Sequence, residues 1–337
     1  MIRWGFLGAG MVATTALAPA VHAADGAVLQ AAAARDVARA AALGPAVSYG
    51  SYEDLLADRQ VDAVYISLSN ELHLPWTVAA LEAGKAVLCE KPLGLTAAEV
   101  DEMVAVAEGT GGLLVEASWY RWHPRVRLAQ QRLPDIGPVL HAAAGFTFEG
   151  ALEGNYRLDP QRGGGALYDV GCYAVSACLW GIGAGVPEEV VARSTYGLTG
   201  VDLVTEVLLS WGSGQTAEVR AGIAGDGDGQ WLVLTGAAGE LELRDSPYTS
   251  WRTDATELWV SDGRGTSRIP VAATDPYRLM VEEFSSVLSG GPGWVLPVPE
   301  SRQTAAVLDA ARASASRRDH AVTRELPAGR RAGRPGT

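Results

Sequence analysis

The sequence predicts an α/β protein of two domains, the first built on a parallel sheet and the second on a mostly antiparallel one. Over residues 1–118, short apolar runs alternate with segments of helical character, which is the pattern of a doubly wound parallel sheet. After residue 118, strands follow one another through glycine-rich turns, which is typical of an antiparallel sheet with a few helices. A length of 337 residues is enough for two cores of ordinary size.

The first domain is expected to alternate strands and helices without a break. The continuous apolar run over 61–68 indicates a strand buried on both faces. Gly84 follows a helical segment as a C′ glycine does, and Thr96 stands where it can cap the next helix. The expected strands are 2–7, 28–34, 61–68, 86–89 and 113–117, and the expected helices are 12–24, 37–43, 52–57, 74–83 and 97–108.

The second domain, residues 119–326, is expected to be an α+β unit. The stretch 225–229 reads G-D-G-D-G and is expected to be a hairpin turn. The Gly-, Pro- and Arg-rich tail over 327–337 is expected to be disordered. The expected strands are 138–148, 189–196, 203–211, 216–223, 231–235 and 240–243, and the expected helices are 166–179, 277–288 and 301–316.

The composition argues against several classes of protein. A net charge of −12 disfavours nucleic acid or an anionic membrane as the main partner. The three cysteines show no C-x-x-C spacing, so we expect buried free thiols in a reducing cytoplasm. The five scattered histidines give no metal signature, and no run looks long and apolar enough to span a membrane. Residues 1–24 also resemble a signal peptide, but we favour the strand, turn and helix pattern that continues after them.

A glycine motif near the N-terminus predicts a dinucleotide-binding domain. Residues 8–13 read G-A-G-M-V-A, the form G-x-G-x-x-A, between a predicted strand and a predicted helix. The first glycine permits the tight turn, and the second lets the backbone approach a pyrophosphate at the helix N-terminus. This context predicts a Rossmann domain in which Gly8, Gly10, Met11 and Val12 contact the dinucleotide.

The end of the second strand indicates which dinucleotide is bound. An Asp or Glu there would hold the ribose 2′-hydroxyl of NAD, but Ala34 is followed by Arg35, with Arg39 one helical turn on. Two arginines suit a 2′-phosphate and therefore predict NADP. Asp36 is the counter-argument, since its carboxylate could swing in, and it leaves NAD open as the alternative.

A polar segment follows the next buried strand at its carboxyl end, where open α/β sheets bind ligands. Residues 67–73 read S-L-S-N-E-L-H. Ser67, Asn70 and His73 are expected to hydrogen-bond the cofactor, although Asn70 could also simply start the following helix.

Lys91 is a candidate catalytic residue because lysine is rare in this chain. The sequence has 25 arginines and only two lysines, Lys85 and Lys91. Lys91 lies in the tripeptide E-K-P directly after the strand over 86–89. Unlike arginine, a lysine can have its pKa shifted and can take part in proton transfer. We therefore predict a catalytic Lys91 with Glu90 beside the cofactor, and compositional drift that spared this lysine is the alternative.

A carboxylate and a phenol form a second candidate pair. Residues 163–173 read G-G-G-A-L-Y-D-V-G-C-Y, which places Asp169 and Tyr173 four residues apart on one face of a helix. Such a pair could bind a polyol and exchange a proton, so both are candidate catalytic residues. A capped helix with an ordinary amphipathic tyrosine is the alternative.

In this order and spacing, the motifs resemble those of the glucose–fructose oxidoreductase/inositol dehydrogenase/MocA family over residues 1–316. The segment 116–124, E-A-S-W-Y-R-W-H-P, also resembles the stretch that crosses between the domains in this family. The resemblance implies a Rossmann domain followed by a domain with an open-faced sheet, often joined into dimers or tetramers. It also implies that Lys91 is the catalytic lysine and that Asp169 and residue 173 complete the site.

Two departures suggest a branch within the family. Ser69 stands where many members have proline, and Tyr173 stands where many have histidine. The tyrosine form resembles the dihydrodiol/xylose dehydrogenase branch and the bacterial ketosugar reductases, and A-A-R-D-V-A-R-A at 33–40 is similar to that NADP-using branch. The same branch implies that Trp119 and Phe148 line the substrate pocket.

Three hypotheses about function follow from the resemblance. The first is an NADP-dependent oxidoreductase that transfers a hydride between nicotinamide and a free sugar or polyol. The second keeps the chemistry but takes a nucleotide-linked ketosugar, whose diphosphate would need a basic patch. The third is a non-catalytic NAD(P) sensor, against which the retention of Lys91 and Tyr173 argues. The arginines that could supply the patch are Arg121, Arg125, Arg127, Arg157 and Arg162, of which Arg121 is expected to bind substrate.

In the expected mechanism, Tyr173 delivers or takes the proton of the substrate oxygen. An unperturbed phenol has a pKa near ~10, and the Lys91 ammonium is expected to lower it toward working pH. The same charge would polarise the carbonyl. Asp169 is expected to bind a substrate hydroxyl or to hold Lys91 protonated and oriented.

Overall fold

The computed structural model describes residues 1–150, 154–224 and 229–317. Two predictions lie outside these residues: the hairpin turn over 225–229, of which only Gly229 is described, and the disordered tail over 327–337. The described residues form one sheet of six strands and one of eight, so the predicted α/β class is confirmed.

The first sheet is parallel throughout, as predicted. Its strands are β1 (Ile2–Leu7), β2 (Ala27–Ala33), β3 (Val47–Tyr49), β4 (Ala63–Ile66), β5 (Ala86–Cys89) and β6 (Leu114–Glu116). They pair in the order β3-β2-β1-β4-β5-β6. The order therefore reverses between β1 and β4, which is the point where such sheets bind ligands. Strand β3 was not predicted, because three residues are too few to give a periodic pattern.

Five helices accompany these strands: α1 (Ala18–Ala23), α2 (Val37–Ala41), α3 (Tyr52–Ala57), α4 (His73–Glu82) and α5 (Ala97–Thr110). The predicted cap of α5 is present, since Thr96 accepts a hydrogen bond of 3.1 Å from the amide of Glu99. Gly84 follows α4 with a φ of 73°, in the left-handed region that suits glycine. The first helix opens with a π-helical turn, Ala13–Leu17, which the sequence analysis did not predict.

The second sheet is mostly antiparallel, as predicted. Its strands are β7 (Val139–Thr147), β8 (Glu189–Tyr196), β9 (Asp202–Ser210), β10 (Thr216–Gly222), β11 (Gly229–Gly236), β12 (Gly239–Leu243), β13 (Thr256–Asp262) and β14 (Gly265–Val271). They pair in the order β14-β13-β12-β11-β7-β10-β9-β8, and β7 and β10 run parallel. Strands β13 and β14 were not predicted. The edge strand β14 is mostly exposed, so it carries no alternating apolar residues.

Four more α-helices follow β6 among the described residues. They are α6 (Pro124–Arg132), α7 (Cys172–Ile182), α8 (Pro276–Leu288) and α9 (Val298–Arg317). Helix α9 packs on α5 as well as on β8 and α7. Trp4 of β1 packs against Phe284 of α8 with ring centroids 4.9 Å apart and the rings tilted by 47°, and its indole donates to Ser285 at 3.2 Å. Helices α8 and α9 therefore pack against elements of the first domain.

One helical run corrects the expectation about membrane-spanning segments. Among the described residues, Pro160–Ile182 is long and apolar enough to cross a membrane, and 89% of its apolar window is buried inside the protein. A buried core helix passes the same test of length and composition, so this run is weak evidence for a membrane span.

Candidate active site

The glycine loop after β1 has the form that a dinucleotide site needs. Gly8 has a φ of 96°, and a Cβ atom there would lie 2.4 Å from the carbonyl oxygen of Ser67. Only glycine fits this position, which keeps the loop against the end of β4. Met11 is exposed at the start of the helix and Val12 is half-buried beside it. The loop backbone and helix start are thus open to a pyrophosphate.

Two arginines lie at the end of β2, near the glycine loop. Arg35 is exposed. Arg39 donates from Nη2 to the carbonyl of Ala9 at 2.5 Å, so it contacts the loop directly. Asp36, the counter-argument for NAD, caps α2 by accepting a hydrogen bond of 3.0 Å from the amide of Ala38. Its carboxylate is therefore engaged at the cap in this structure.

The structure brings the three predicted catalytic residues together. Lys91 follows β5, and its Nζ donates to the carbonyl oxygen of Asp169 at 2.6 Å and lies 3.4 Å from Oδ1 of the same residue. Nζ also lies 5.0 Å from the centroid of the Tyr173 ring. The Lys91 and Asp169 side chains are only 13% and 7% exposed. A charge pair and a phenol therefore share one enclosed site.

A π-helical turn, Leu167–Gly171, positions Asp169 ahead of α7. The turn is anchored by Asp202, whose Oδ2 accepts from the amide of Leu167 at 2.8 Å. Gly165 has a φ of 118°, and a Cβ there would lie 2.0 Å from Oδ1 of Asp202. Glycine is therefore favoured at position 165 by its left-handed backbone, and a side chain there would also displace Asp202. The sequence predicted an ordinary helix here, so the π turn was not expected.

Aromatic rings surround Tyr173. Trp119 donates from Nε1 to the Tyr173 hydroxyl at 2.9 Å and stacks on Tyr277 with centroids 4.5 Å apart. The ring centroid of Phe146 lies 5.7 Å from that of Tyr173, and the centroid of Phe148 lies 6.2 Å from that of Phe146. Of the two aromatic residues predicted to line the pocket, Trp119 therefore contacts the candidate catalytic phenol directly.

The polar segments behind Lys91 serve mainly to fix the backbone. Both ring nitrogens of His73 face carbonyl oxygens, Nδ1 at 2.8 Å from that of Pro92, and the residue is fully buried. It has no exposed atom for the cofactor contact that the sequence predicted. Asn70 donates to the carbonyl of Gly163 at 2.8 Å, which ties the two domains together. Glu90 is buried and accepts from the Tyr65 hydroxyl at 2.5 Å.

Arg121 lies apart from the catalytic cluster. It is 2% exposed, pairs with Glu300 at 2.7 Å and packs on the rings of Trp180 and Trp294. None of its contacts is to Lys91, so the structure does not place Arg121 with the other predicted substrate-binding residues.

The other arginines proposed for a diphosphate patch are also paired. Arg125 donates to three backbone carbonyls over 244–246, and Arg127 forms a bidentate pair with Glu283. Arg157 pairs with Asp169, and Arg162 with Glu71. A patch of free guanidinium groups is therefore absent from these five positions.

Burial and charge set the protonation of the cluster. Burial raises the pKa of Tyr173 well above the ordinary phenol value, and the Lys91 ammonium offsets only part of that rise. Burial alone would lower the pKa of Lys91, but Tyr173 and Asp169 outweigh it and hold that pKa well above its usual range. Burial also acts to raise the pKa of Asp169, yet Lys91 and Arg157 keep it below its usual range. The expectation that Lys91 brings the phenol toward neutral pH was wrong for the protein alone, because burial dominates.

Comparison with known proteins identifies the family. Residues 2–117 match the family model described as an oxidoreductase family with an NAD-binding Rossmann fold, and residues 126–242 match the Gfo/Idh/MocA C-terminal domain. The chain belongs to the Gfo/Idh/MocA family of oxidoreductases. The predicted family, enzyme class and Rossmann domain are thus confirmed.

Three members of this family illustrate its range. A D-xylose 1-dehydrogenase (NADP⁺) of Haloferax volcanii is 38% identical over 300 residues, 86% of this chain and 90% of that protein. A mouse trans-1,2-dihydrobenzene-1,2-diol dehydrogenase is 38% identical over 63% of this chain and 66% of its own length. The crystal structure of KijD10, a 3-ketoreductase from Actinomadura kijaniata in complex with NADP and TDP-benzene, superposes with a TM-score of 0.85. It is 28% identical and covers 96% of this chain and 98% of its own.

Several residues around the site were not predicted from the sequence. Phe146 could have been found, since it lies near the end of β7, two residues before Phe148. Tyr156 lies close enough to Lys91 and Asp169 for their charges to influence its pKa, which burial raises. Arg157 was considered only as a diphosphate ligand, and its contact with Asp169 depends on a loop that gives no periodic signal.

Proposed function

We propose that the protein is an NADP-dependent dehydrogenase of a free aldose or polyol. The observation that carries the proposal is the enclosed cluster of Lys91, Asp169 and Tyr173 at the carboxyl edge of the parallel sheet. The 38% identical relative from Haloferax volcanii, a D-xylose 1-dehydrogenase using NADP⁺, supports the sugar class and the cofactor. We propose that the protein is cytoplasmic.

The arrangement after β2 supports NADP over NAD. Arg35 is exposed beside the glycine loop, Arg39 contacts that loop, and Asp36 is engaged in capping α2. Guanidinium groups suit a 2′-phosphate, whereas a free carboxylate would suit a 2′-hydroxyl. The residues that would hold the pyrophosphate are the Gly8 and Gly10 backbone at the helix start.

The protein groups then perform the proton chemistry. NADP, when bound, supplies or accepts the hydride. In reduction, Tyr173 gives its hydroxyl proton to the substrate oxygen as that oxygen gains negative charge. Lys91 stabilises the developing alkoxide with its ammonium, and Asp169 holds that ammonium in place. Because burial keeps the phenol protonated, the proton donor is ready for reduction, whereas oxidation requires the phenol first to lose its proton.

A nucleotide-linked ketosugar is the second candidate substrate. Its support is the similarity over almost the whole chain to KijD10, which was crystallised with a TDP compound. The pairing of Arg121, Arg125, Arg127, Arg157 and Arg162 with protein groups argues against it. A non-catalytic NAD(P) sensor would have no need of the enclosed lysine, carboxylate and phenol.

The test is initial-rate assay of the purified protein with a panel of aldoses and polyols, NADP and NAD being run in parallel. Turnover of a free aldose with NADP preferred supports the proposal. Preference for NAD would overturn the cofactor assignment alone. Turnover only of a TDP-linked ketosugar with NADPH would favour the second candidate, and NADP binding without turnover of any substrate would favour the sensor.

The eight-stranded sheet supports a proposal about assembly. Its outer face carries the exposed side chains of Leu140 on β7 and Leu208 on β9, 50% and 53% exposed. Apolar side chains on an uncovered sheet face are suited to contact with a second copy of the chain. We expect a homodimer or homotetramer, to be measured by light scattering with Leu208→Glu as the variant that weakens it.

A further inference from the structure

Asp169 is held by two cations rather than one. Its Oδ2 accepts a hydrogen bond of 2.6 Å from Nε of Arg157, whereas its Oδ1 lies 3.4 Å from Nζ of Lys91. The closest contact of Lys91 is instead the Asp169 carbonyl oxygen, at 2.6 Å. The shorter contact of the carboxylate is therefore with Arg157. The Lys91 ammonium instead contacts the Asp169 carbonyl oxygen and lies beside the Tyr173 ring.

The backbone of Arg157 is fixed where this contact requires it. Its amide donates to Oδ1 of Asn155 at 3.0 Å, and its carbonyl accepts from the amide of Gly165 at 2.9 Å. A Cβ on Gly164 would lie 2.5 Å from the same carbonyl oxygen, so glycine is needed for the approach. The glycine run thus seats Arg157 against the turn that carries Asp169.

The loop that carries Arg157 is fastened to the first domain. Asn70 donates to Gly163 at 2.8 Å, and Arg162 donates to the Ser69 hydroxyl at 3.1 Å. The Arg157 guanidinium also lies 5.0 Å from the centroid of Tyr156. The Arg157 side chain is 22% exposed and is therefore mostly buried.

We propose that Arg157 is a positioning residue, which binds the Asp169 carboxylate and thereby keeps the Lys91 ammonium on the Asp169 carbonyl and next to Tyr173. A hydrogen bond between two charged groups is stronger than one between neutral groups, so Arg157 competes effectively for the carboxylate. Without it, both carboxylate oxygens are free to draw the ammonium away from the phenol. The expected effect on turnover rests on the proposed function. The positioning of Lys91 by Arg157 does not depend on it.

Removal of Arg157 also changes the charge around Lys91. The negative charge of Asp169 is then balanced by less positive charge. We therefore expect the pKa of Lys91 to rise further and the pKa of Tyr173 to rise with it. The charged and titratable groups that face Lys91 from the surrounding elements are Asp169, Cys172, Tyr173, Tyr156, Glu90, Glu116 and His73.

The decisive experiment measures Lys91 directly. The chain has two lysines, so acylation with an amine-selective reagent and mass spectrometry reports Lys91 against Lys85 as an internal reference. Lys85 donates to the carbonyls of Asp58 and Val61 and has no contact with the loop. In Arg157→Ala we expect the Lys91-to-Lys85 ratio to fall several-fold at neutral pH. In Arg157→Lys, which keeps the charge, we expect it to stay near the wild-type ratio.

Turnover gives the second readout. Arg157→Ala is expected to lower kcat about ten-fold or more, the size of one lost hydrogen bond to a charged group. It is also expected to move the rising limb of the oxidation pH profile to higher pH and to be partly rescued by added guanidinium ion. Arg59→Ala, which removes an exposed arginine of the first domain and leaves the loop intact, should leave that limb in place.

The outcomes separate the inference from the proposed function. An unchanged acylation ratio in Arg157→Ala overturns the positioning role, as does an equal shift of the pH limb in Arg59→Ala. If the wild-type protein turns over no sugar with either cofactor, the proposed function fails, and the acylation ratio still decides whether Arg157 positions Lys91.

Discussion

The indole of Trp119 donates a hydrogen bond of 2.9 Å to the hydroxyl of Tyr173. Because the phenol oxygen accepts this bond, its orientation is fixed, and its own proton must point elsewhere in the pocket. The donated bond also acts to lower the pKa of Tyr173, although burial and the Lys91 charge have larger effects. Trp119 therefore both orients the phenol and supports its ionised form.

Trp119→Phe tests this relationship. The ring that stacks on Tyr277 is retained, but the donor to Tyr173 is lost. We expect kcat to fall roughly five-fold, since a typical hydrogen bond contributes about 1 kcal/mol net. Trp180→Phe is the matched control, because its indole donates to another phenol, that of Tyr120, at 3.3 Å. Equal losses in the two variants would contradict a specific role for Trp119.

Tyr173→Phe removes the proposed proton donor. The ring contacts with Phe146 and Tyr248 remain, so the fold is expected to be retained. We expect kcat to fall on the order of 10²-fold or more, as for loss of a general acid. Tyr248→Phe is the control within the same aromatic cluster, since its hydroxyl donates to the carbonyl of Trp231. Near-wild-type turnover in Tyr173→Phe would mean that another group carries the proton.

Lys91→Arg keeps the positive charge but changes its shape and its capacity to lose a proton. The ammonium contact with the Asp169 carbonyl depends on a compact donor beside the phenol, so we expect kcat to fall on the order of 10²-fold. Lys85→Arg provides the comparison in the one other lysine, and there the effect should be on stability, because Lys85 donates only to backbone carbonyls. Normal turnover by Lys91→Arg would mean that a positive charge at this position is sufficient for catalysis.

The sequence predicted most of the architecture because the relevant signals are local. The glycine motif, the buried strands and the helix caps at Thr96 and Gly84 each depend on a few consecutive residues. Strands β3 and β14 were missed, since one is too short and the other too exposed to show a period. The π turn over 167–171 was missed, and Asp202, whose carboxylate binds its first amide, lies far along the chain.

The candidate site was predicted in part for the same reason. Lys91, Asp169 and Tyr173 each lie in a recognisable motif, and the fold brings them together. The Arg157 contact with Asp169 could not be predicted, because it depends on how a loop without periodicity is seated. The packing of Arg121 on Trp180 and Trp294 could not be predicted either, because its sequence neighbours resemble those of a pocket residue. The roles of these residues in catalysis stay predictions.

Arg35→Ala tests the proposed 2′-phosphate contact. We expect KM for NADP to rise about ten-fold or more, because a hydrogen bond to a charged group contributes roughly 1.5–3 kcal/mol. KM for NAD should change little, so the preference between the two cofactors should narrow or reverse. Arg59→Ala, which removes another exposed arginine of the same domain, controls for net charge. A parallel rise in both KM values would place Arg35 outside the phosphate site.

Glu116 gives a prediction about stability and pH. The residue is 3% exposed, and burial raises the pKa of its carboxyl above the ordinary value. A carboxyl with a raised folded pKa stabilises the protein fully below its unfolded pKa, near ~4.3, and that contribution is lost as pH rises toward the folded pKa. The amide in Glu116→Gln does not titrate, so it avoids this loss.

We therefore expect the urea midpoint of Glu116→Gln, relative to wild type, to increase as pH is raised from about 4 and to level off above the folded pKa. The measurement is a set of urea unfolding curves at several pH values. Exposed Glu108→Gln is the control, and its difference from wild type should show a much weaker pH dependence. A pH-independent difference for Glu116→Gln would mean that the carboxyl titrates alike in the folded and unfolded chains. Burial beside Lys91 would then not govern its protonation.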